Sequence, residues 1–296
     1  VTGIELNNKR GREKIKKINK AIFPFSSNDT EIKKLLKKIK KNKNLKATHQ
    51  KESYKNTNVI IVSTGFGELK KNGNFLKELH IFKKNFFEIL ENINEGTLII
   101  VETTLLPGTI EKIIYPKMKN FLIKKGIDYR KIYLAYSYER VMPGKNYIKS
   151  IKNYWRVYAG INETSSKKCE LFLKKLINTK KFPLTKLDNI TSVELSKIIE
   201  NTYRAVNIAF IDEWSRFAEK IGVDMFKITE AIRKRSTHSN IRNPGFGVGG
   251  YCLTKDPLFG KASLKNIYNK SDIKFEFSER AVIINRNSAK RPFKII

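Results

Sequence analysis

The sequence predicts an α/β protein, a doubly wound and mostly parallel sheet followed by an all-helical region built around one long helix. Two observations carry that reading. Short apolar runs alternate with amphipathic stretches of helical length up to about Pro183, and strands alternating with helices imply parallel pairing through right-handed crossovers. Beyond Pro183, Ser192 to Ile221 runs without a Gly or Pro, and a helix of about 30 residues at 1.5 Å each would reach roughly 45 Å. Such a rod suits a domain spine or a subunit interface.

The elements follow in order. Val1 to Leu6 reads as a short apolar strand carrying an acid, Glu5, near its end, and a Lys-rich helical pattern continues through Lys20. A second helix starts with Asp29 or Thr30 as its cap and lines Ile32, Leu35, Leu36 and Ile39 along one face. Its lysines read as a solvated face, because no base-stacking aromatics are interleaved with them. Then come a buried strand at Asn58 to Ser63, a helix at Phe75 to Asn92, a strand at Thr97 to Glu102 and a helix at Thr109 to Lys125. Further strands are expected at Lys131 to Ala135 and Tyr154 to Ala159, and an amphipathic helix at Lys167 to Ile177. After the long helix, another is expected from Asp224 to Arg235, and Lys274 to Ile296 is helical at first.

Composition bounds the function. Lys and Arg number 60 against 28 Asp and Glu, a net charge of +32, yet 40% of residues are hydrophobic, which is too much burying power for a disordered basic tail. A charge that large usually suggests an anionic partner, but charge alone decides little, and no nucleic-acid partner is expected. The apolar runs are far shorter than the roughly 18 residues a membrane span needs, and no apolar signal segment opens the sequence, so a cytosolic protein without a membrane partner is expected. Two cysteines, Cys169 and Cys252, allow at most one disulfide and exclude a four-thiolate zinc site, while His49, His80 and His238 lack metal-ligand spacing. No metal is expected.

Three segments set special backbone residues beside reactive ones. Glu102-Thr103-Thr104 with Pro107-Gly108-Thr109, and Tyr138-Glu139-Arg140 with Pro143-Gly144, both follow expected strands, which puts Thr104 and Glu139 at the carboxyl edge of the sheet, where open α/β folds bind ligands. In the third, Gly245, Gly247, Gly249 and Gly250 precede Cys252, where backbone amides and a helix start would favour a thiolate. Lys255 adds positive charge nearby, and Asp256 faces the same side if a helix has begun. The competing reading of a free cysteine is a small buried hydrophobe, which is the one that fits Cys169 beside Leu171 and Phe172. On the long helix Lys197 and Asn201 share a face, three residues beyond Glu194. A cation and an amide so placed can hold a polar substrate or steady an oxyanion, although the same pair is ordinarily just surface.

These segments, with Glu200-Asn201-Thr202-Tyr203-Arg204-Ala205 and Gly247-Val248-Gly249-Gly250-Tyr251-Cys252 before Asp256-Pro257, resemble the ordered motifs of the nucleotide-sugar 6-dehydrogenases, the UDP-glucose, UDP-N-acetylglucosamine and UDP-N-acetylmannosamine dehydrogenase family. The likeness is densest from Leu98 to Pro257. It implies a Rossmann-like NAD-binding domain over residues 1–185 and a helical central, dimer-forming domain with the cysteine loop over 186–296. It further implies a four-electron oxidation of a sugar C6 alcohol to the carboxylate, using two NAD and a covalent thioester on Cys252. In that scheme Lys197 and Asn201 steady oxyanions and, with the backbone of Gly249 and Gly250, hold the sugar; Asp256 and Thr104 orient water, and Glu139 is the candidate base. Glu5, Thr64, Thr104, Glu139 and Lys255 would contact the cofactor, Glu5 through the adenosine ribose diol, a feature of NAD rather than NADP.

The family's first strand, glycine loop and first helix would precede Glu5, and a second nucleotide-recognising domain would follow the central helices, so the sequence reads as part of a longer chain. Pro143 stands where UDP-glucose dehydrogenases carry a second glutamate, which favours an N-acetylated or another nucleotide sugar. Ser137-Tyr138 and Thr64-Gly65 also depart from the family's usual pairs with proline. A two-electron hydroxyacid dehydrogenase, whose relatives share the Lys-x-x-x-Asn pair, is the alternative enzyme. An inactive remnant is the alternative to any enzyme.

Overall fold

The computed structural model describes residues 1–66, 75–141 and 144–290. Pro143 and the last six residues therefore lie outside the described residues, as do the residues just after Phe66. The chain divides into two compact units, one of Val1–Gly65, Leu79–Thr103 and Ile114–Val193, the other of Phe66–Glu78, Thr104–Ile113 and Glu194–Ile296.

In the first unit, β1 (Thr2–Ile4) leads into α1 (Lys9–Asn19) and α2 (Thr30–Lys41), and β1 pairs in parallel with β2 (Lys46–Thr48), a strand the sequence pattern does not announce. Asn8 caps α1 and Asp29 caps α2, each side chain accepting a backbone N–H of the first turn. Five more strands form one sheet: β3 (Val59–Val62), β4 (Leu98–Val101), β5 (Tyr133–Tyr136), β6 (Val157–Gly160) and β7 (Thr185–Lys186), in the order β3-β4-β5-β6-β7. The helices between them are α3 (Phe75–Leu90), α4 (Tyr115–Lys124), α5 (Tyr147–Lys152) and α6 (Glu163–Leu176).

Pairing is parallel except between β5 and β6, where Ala135 faces Gly160 and Tyr136 faces Ala159 in antiparallel register. β4 is buried at all four positions, and Leu98 and Ile100 join Ala135, Tyr158, Cys169 and Leu173 in one apolar core. A strand covered on both faces reads as a continuous apolar run, which is why it was legible. The single helix expected from Thr109 instead begins as a π-helical turn, Thr109–Ile114, before α4.

The second unit is helical. Its spine is α7 (Ile190–Lys220, 31 residues), followed by α8 (Met225–Arg233), α9 (Phe259–Asn266) and α10 (Glu276–Ser288). Asn285 of α10 donates to the Ala205 carbonyl of α7 at 2.9 Å, and Phe259 stacks edge-on against Phe66 and Phe75. One face of α7 is buried at Glu194, Lys197, Ile198, Asn201 and Ala205, the helical repeat of an inward stripe. The opposite face exposes Ile199, Tyr203, Phe210, Trp214 and Phe217. Among the described residues no helix is long and apolar enough to cross a membrane.

Candidate active site

The first unit collects polar groups where its parallel strands end. Glu5 follows β1, and its amide extends the ladder by donating to the Thr48 carbonyl, while one carboxylate oxygen accepts from Lys14 at 2.6 Å. Thr64 follows β3, and its carbonyl accepts the Thr103 hydroxyl at 2.9 Å. Ser137 follows β5 and is fully buried. The hydroxyl oxygens of both Thr64 and Ser137 are buried, with no hydrogen-bond partner among the described residues. Orphaned polar atoms carry a desolvation cost that an arriving polar ligand relieves.

Glu139 lies at the same edge, its carboxylate accepting the Val141 N–H. Arg140 donates to the Tyr138 hydroxyl at 3.0 Å and covers that ring, so the tyrosine that stands where the family usually has proline is buried and held. Because β6 runs antiparallel to β5, its entry residue Arg156 arrives at this edge too, and its guanidinium pairs with Glu102 at 3.0 Å. Burial, the largest influence, raises the Glu102 carboxyl above the usual range; Arg156 opposes the rise and Glu139 adds to it. Arg156 is the residue the sequence reading missed. Its signal, a charge opening an apolar strand, says nothing without the strand's direction.

The second unit brings together Asn201, Lys255 and Asp256. The Asp256 carboxylate is fully buried and accepts from the Asn201 amide at 2.7 Å through one oxygen and from the Lys255 ammonium at 2.8 Å through the other. Lys255 is buried as well, its ammonium 4.5 Å and 4.4 Å from the ring centres of Tyr251 and Phe259. Its charge is thus turned inward, onto Asp256. Lys197 is buried on the same face of α7 as Asn201, four residues away. Thr104 is half-buried at the start of the loop that runs to Gly108.

Cys252 is exposed and forms no disulfide among the described residues. Its carbonyl accepts the Asp256 N–H at 2.9 Å and the Lys255 N–H at 3.2 Å, so it stands where the chain first coils, ahead of the 3₁₀ turn Asp256–Leu258. The sulfur and the Asp256 side chain consequently differ in exposure although their backbones are bonded. In the loop before it, Gly247 and Gly250 have φ of 116° and 86°, a region that favours glycine. Gly247 also passes so close to α10 that a Cβ would meet the Ala289 nitrogen at 3.0 Å. Gly245 and Gly249 are not in that region. Among the described residues, no cluster of three His, Cys, Asp or Glu could hold a metal ion.

Comparison with known proteins decides the family. Residues 1–178 match the NAD binding domain, and residues 191–287 the central domain, of the UDP-glucose/GDP-mannose dehydrogenase family. The chain belongs to this family. It is 31% identical over 270 residues to the UDP-N-acetyl-D-mannosamine dehydrogenase of Pyrococcus horikoshii, covering 90% of this chain and 60% of the relative. It is 29% identical over 268 residues to the UDP-glucose 6-dehydrogenase of Rickettsia bellii, 88% of this chain and 57% of the relative. A solved UDP-D-ManNAc dehydrogenase from P. horikoshii superimposes with a TM-score of 0.80 at 28% identity, over 97% of this chain and 63% of that one. The chain thus spans about 60% of the length of such family members. The cofactor of the family's first domain is NAD, and the acid after β1 with the two unpartnered hydroxyls after β3 and β5 are groups that fit a dinucleotide.

Proposed function

We propose that this chain carries the NAD-binding and central parts of a nucleotide-sugar 6-dehydrogenase that oxidises the C6 alcohol of a UDP-linked hexose, UDP-N-acetylmannosamine first among them, to the uronic acid. Family membership supports the reaction class, and the P. horikoshii relative's name supports the sugar. The observation that carries the mechanism is an exposed thiol placed directly after a glycine loop, one turn before a buried carboxylate tied to Asn201.

NAD, when bound, supplies the hydride acceptor for each of the two oxidations. Glu139 takes the C6 hydroxyl proton as the aldehyde forms. The Cys252 thiolate then adds to the aldehyde carbon, making a thiohemiacetal whose oxyanion Lys197 and Asn201 stabilise by charge and hydrogen bonding. Loss of a second hydride from that carbon, for which a second NAD would serve as acceptor, would leave a thioester on Cys252. Water, oriented by Asp256 and Thr104, adds to that carbonyl; the carbon–sulfur bond breaks and the sulfur returns to the thiol state. The sum is four electrons to two NAD and one water oxygen to the carboxylate. The backbone of Gly249 and Gly250, beside the sulfur, positions the sugar, and Glu5, Thr64 and Lys255 are assigned to the cofactor.

The apolar outer face of α7 supports a homodimer as the working form. Ile199, Tyr203, Phe210, Trp214 and Phe217 are each about half exposed and recur at helical spacing along one side, more contiguous apolar surface than an isolated soluble subunit ordinarily leaves open. A second copy of the same helix is the self-complementary occupant.

The test supplies the full-length protein with a panel of UDP-hexoses and counts NADH. Two NADH per sugar, fastest with UDP-N-acetylmannosamine, is expected. One NADH per sugar would favour the two-electron hydroxyacid alternative, and no turnover on any sugar the inactive one.

A further inference from the structure

A carboxyl group outside the proposed mechanism is as deeply buried as Asp256 in the second unit. Glu194 has no solvent exposure, and among the described residues no arginine or lysine pairs with it; instead its two oxygens accept the backbone N–H groups of Gly108 at 2.6 Å and Ile110 at 3.1 Å. Those amides open the π-helical turn Thr109–Ile114, so the acid sits at the positive end of a run of aligned peptide dipoles. Gly108 is held in the left-handed region at φ 90°, where a Cβ would lie 2.7 Å from the Tyr268 hydroxyl. A third bond, from the Ser263 hydroxyl to the Pro107 carbonyl at 2.5 Å, fixes the same corner from α9.

We propose that Glu194 is a positioning residue: its carboxyl group latches the corner at Gly108 onto α7 and thereby sets where Thr104, four residues earlier, stands relative to Lys197 and Asn201 on the same helix face. The placement explains why an acid is kept in an apolar setting. It lies three residues before Lys197, so the backbone that presents the cation also carries the latch. An apolar residue at this position would fill the space and leave two buried N–H groups unmet.

Burial pushes the Glu194 carboxyl up to about 8, and Glu111 on the π-helical turn pushes the same way, against the backbone N–H bonds, which favour the anion. Lys197 on its own helix and Lys112 on the turn, which lies over the Tyr268 ring, are the nearby cations along these two elements. The latch therefore changes charge close to neutrality. The backbone bonds favour the anion, but burial outweighs them, so the closed corner holds its proton more tightly than an opened one would and loosens as pH rises toward that value.

The catalytic consequence rests on the dehydrogenase reading above, and the test keeps the two apart. Hydrogen exchange over residues 104–112 and steady-state kinetics are measured on the full-length protein and on Glu194→Gln, which keeps the size but turns one acceptor into an NH₂ facing a backbone N–H. Faster exchange at the corner is expected, with kcat down by about 10- to 100-fold, the scale of a displaced catalytic group, and KM for NAD unchanged. After correction for intrinsic exchange, protection of the wild-type corner should fall as pH rises toward about 8 and level off above it, and the fall should be absent from the variant. Ser263→Ala, a milder loosening of the same corner, should move exchange and kcat in the same direction by less, and stands in if Glu194→Gln does not fold. Unchanged exchange, or a loosened corner with kcat intact, overturns the proposal. If the wild type turns over no nucleotide sugar, the dehydrogenase reading fails, and the exchange measurement alone decides whether Glu194 holds the corner.

Discussion

The two cysteines sit in opposite surroundings. Cys169 points from α6 into the core of the sheet with no exposure, beside Leu98, Ile100 and Leu173. Burial, aided by the Glu102 carboxylate, pushes its thiol up from an ordinary 9.0 to about 12. Cys252 follows a loop whose glycines at 247 and 250 turn the chain through conformations that favour glycine, and its side chain is left in solvent. The same side chain is thus a small buried hydrophobe in one place and an exposed thiol in the other. What separates them is the backbone that precedes each, a regular helix or a glycine turn.

The largest expected break in that comparison is kinetic. Cys252→Ser should lower steady-state turnover by on the order of a thousandfold or more, the scale of losing a catalytic nucleophile, while Cys169→Ser should leave kcat within about twofold once folding is intact. Turnover assays on the purified variants decide it, and comparable losses in both would mean that Cys252 is not special.

Next in size is the electrostatic support of the core around Cys169. Arg156 and Glu102 are nearly buried, so Arg156→Ala strands a carboxylate and should cost about 3–5 kcal/mol by denaturant unfolding. A loss under about 1 kcal/mol would mean that water reaches the pair and screens it. Cys169→Ser itself should cost about 1–3 kcal/mol, since the new hydroxyl is buried among apolar atoms.

The smallest effect is a pH slope. The folded state holds the Cys169 proton up to about 12, whereas the unfolded chain releases it near its ordinary 9.0. A raised acid pKa stabilises the fold fully below the lower value, and that contribution is lost as pH climbs to the higher one. Melting temperature should therefore fall from pH 9 upward in the wild type and fall less in Cys169→Ala; parallel curves would contradict the assignment.

Much of this was readable before any coordinates. β3, β4 and β5 appear in the sequence as apolar runs, β4 because it is buried at every position, and α7 appears because thirty-one residues pass without a breaker. Strand direction was not readable: β6 has the composition of any buried strand, and only its register with β5 shows that it runs the other way and brings Arg156 to the edge that holds Glu102 and Glu139. β2 and β7, three and two residues long, carry too little pattern to see.

The cysteine loop, Lys197 and Asn201 were legible as motifs. Two things were not: that Lys255 turns inward onto Asp256, and that Glu194, noticed only as a neighbour of Lys197, binds backbone amides 84 and 86 positions away. Long-range hydrogen bonds to the main chain leave no trace in side-chain spacing.

The central claim is the covalent role of one sulfur. Full-length protein turning over a UDP-hexose with NAD should be quenched in acid and its Cys252 peptide weighed. The account predicts a peptide heavier by the acyl nucleotide sugar, absent from Cys252→Ser. Two NADH per sugar from the Cys252→Ser variant, at the wild-type rate and with no adduct on the wild-type peptide, would contradict it.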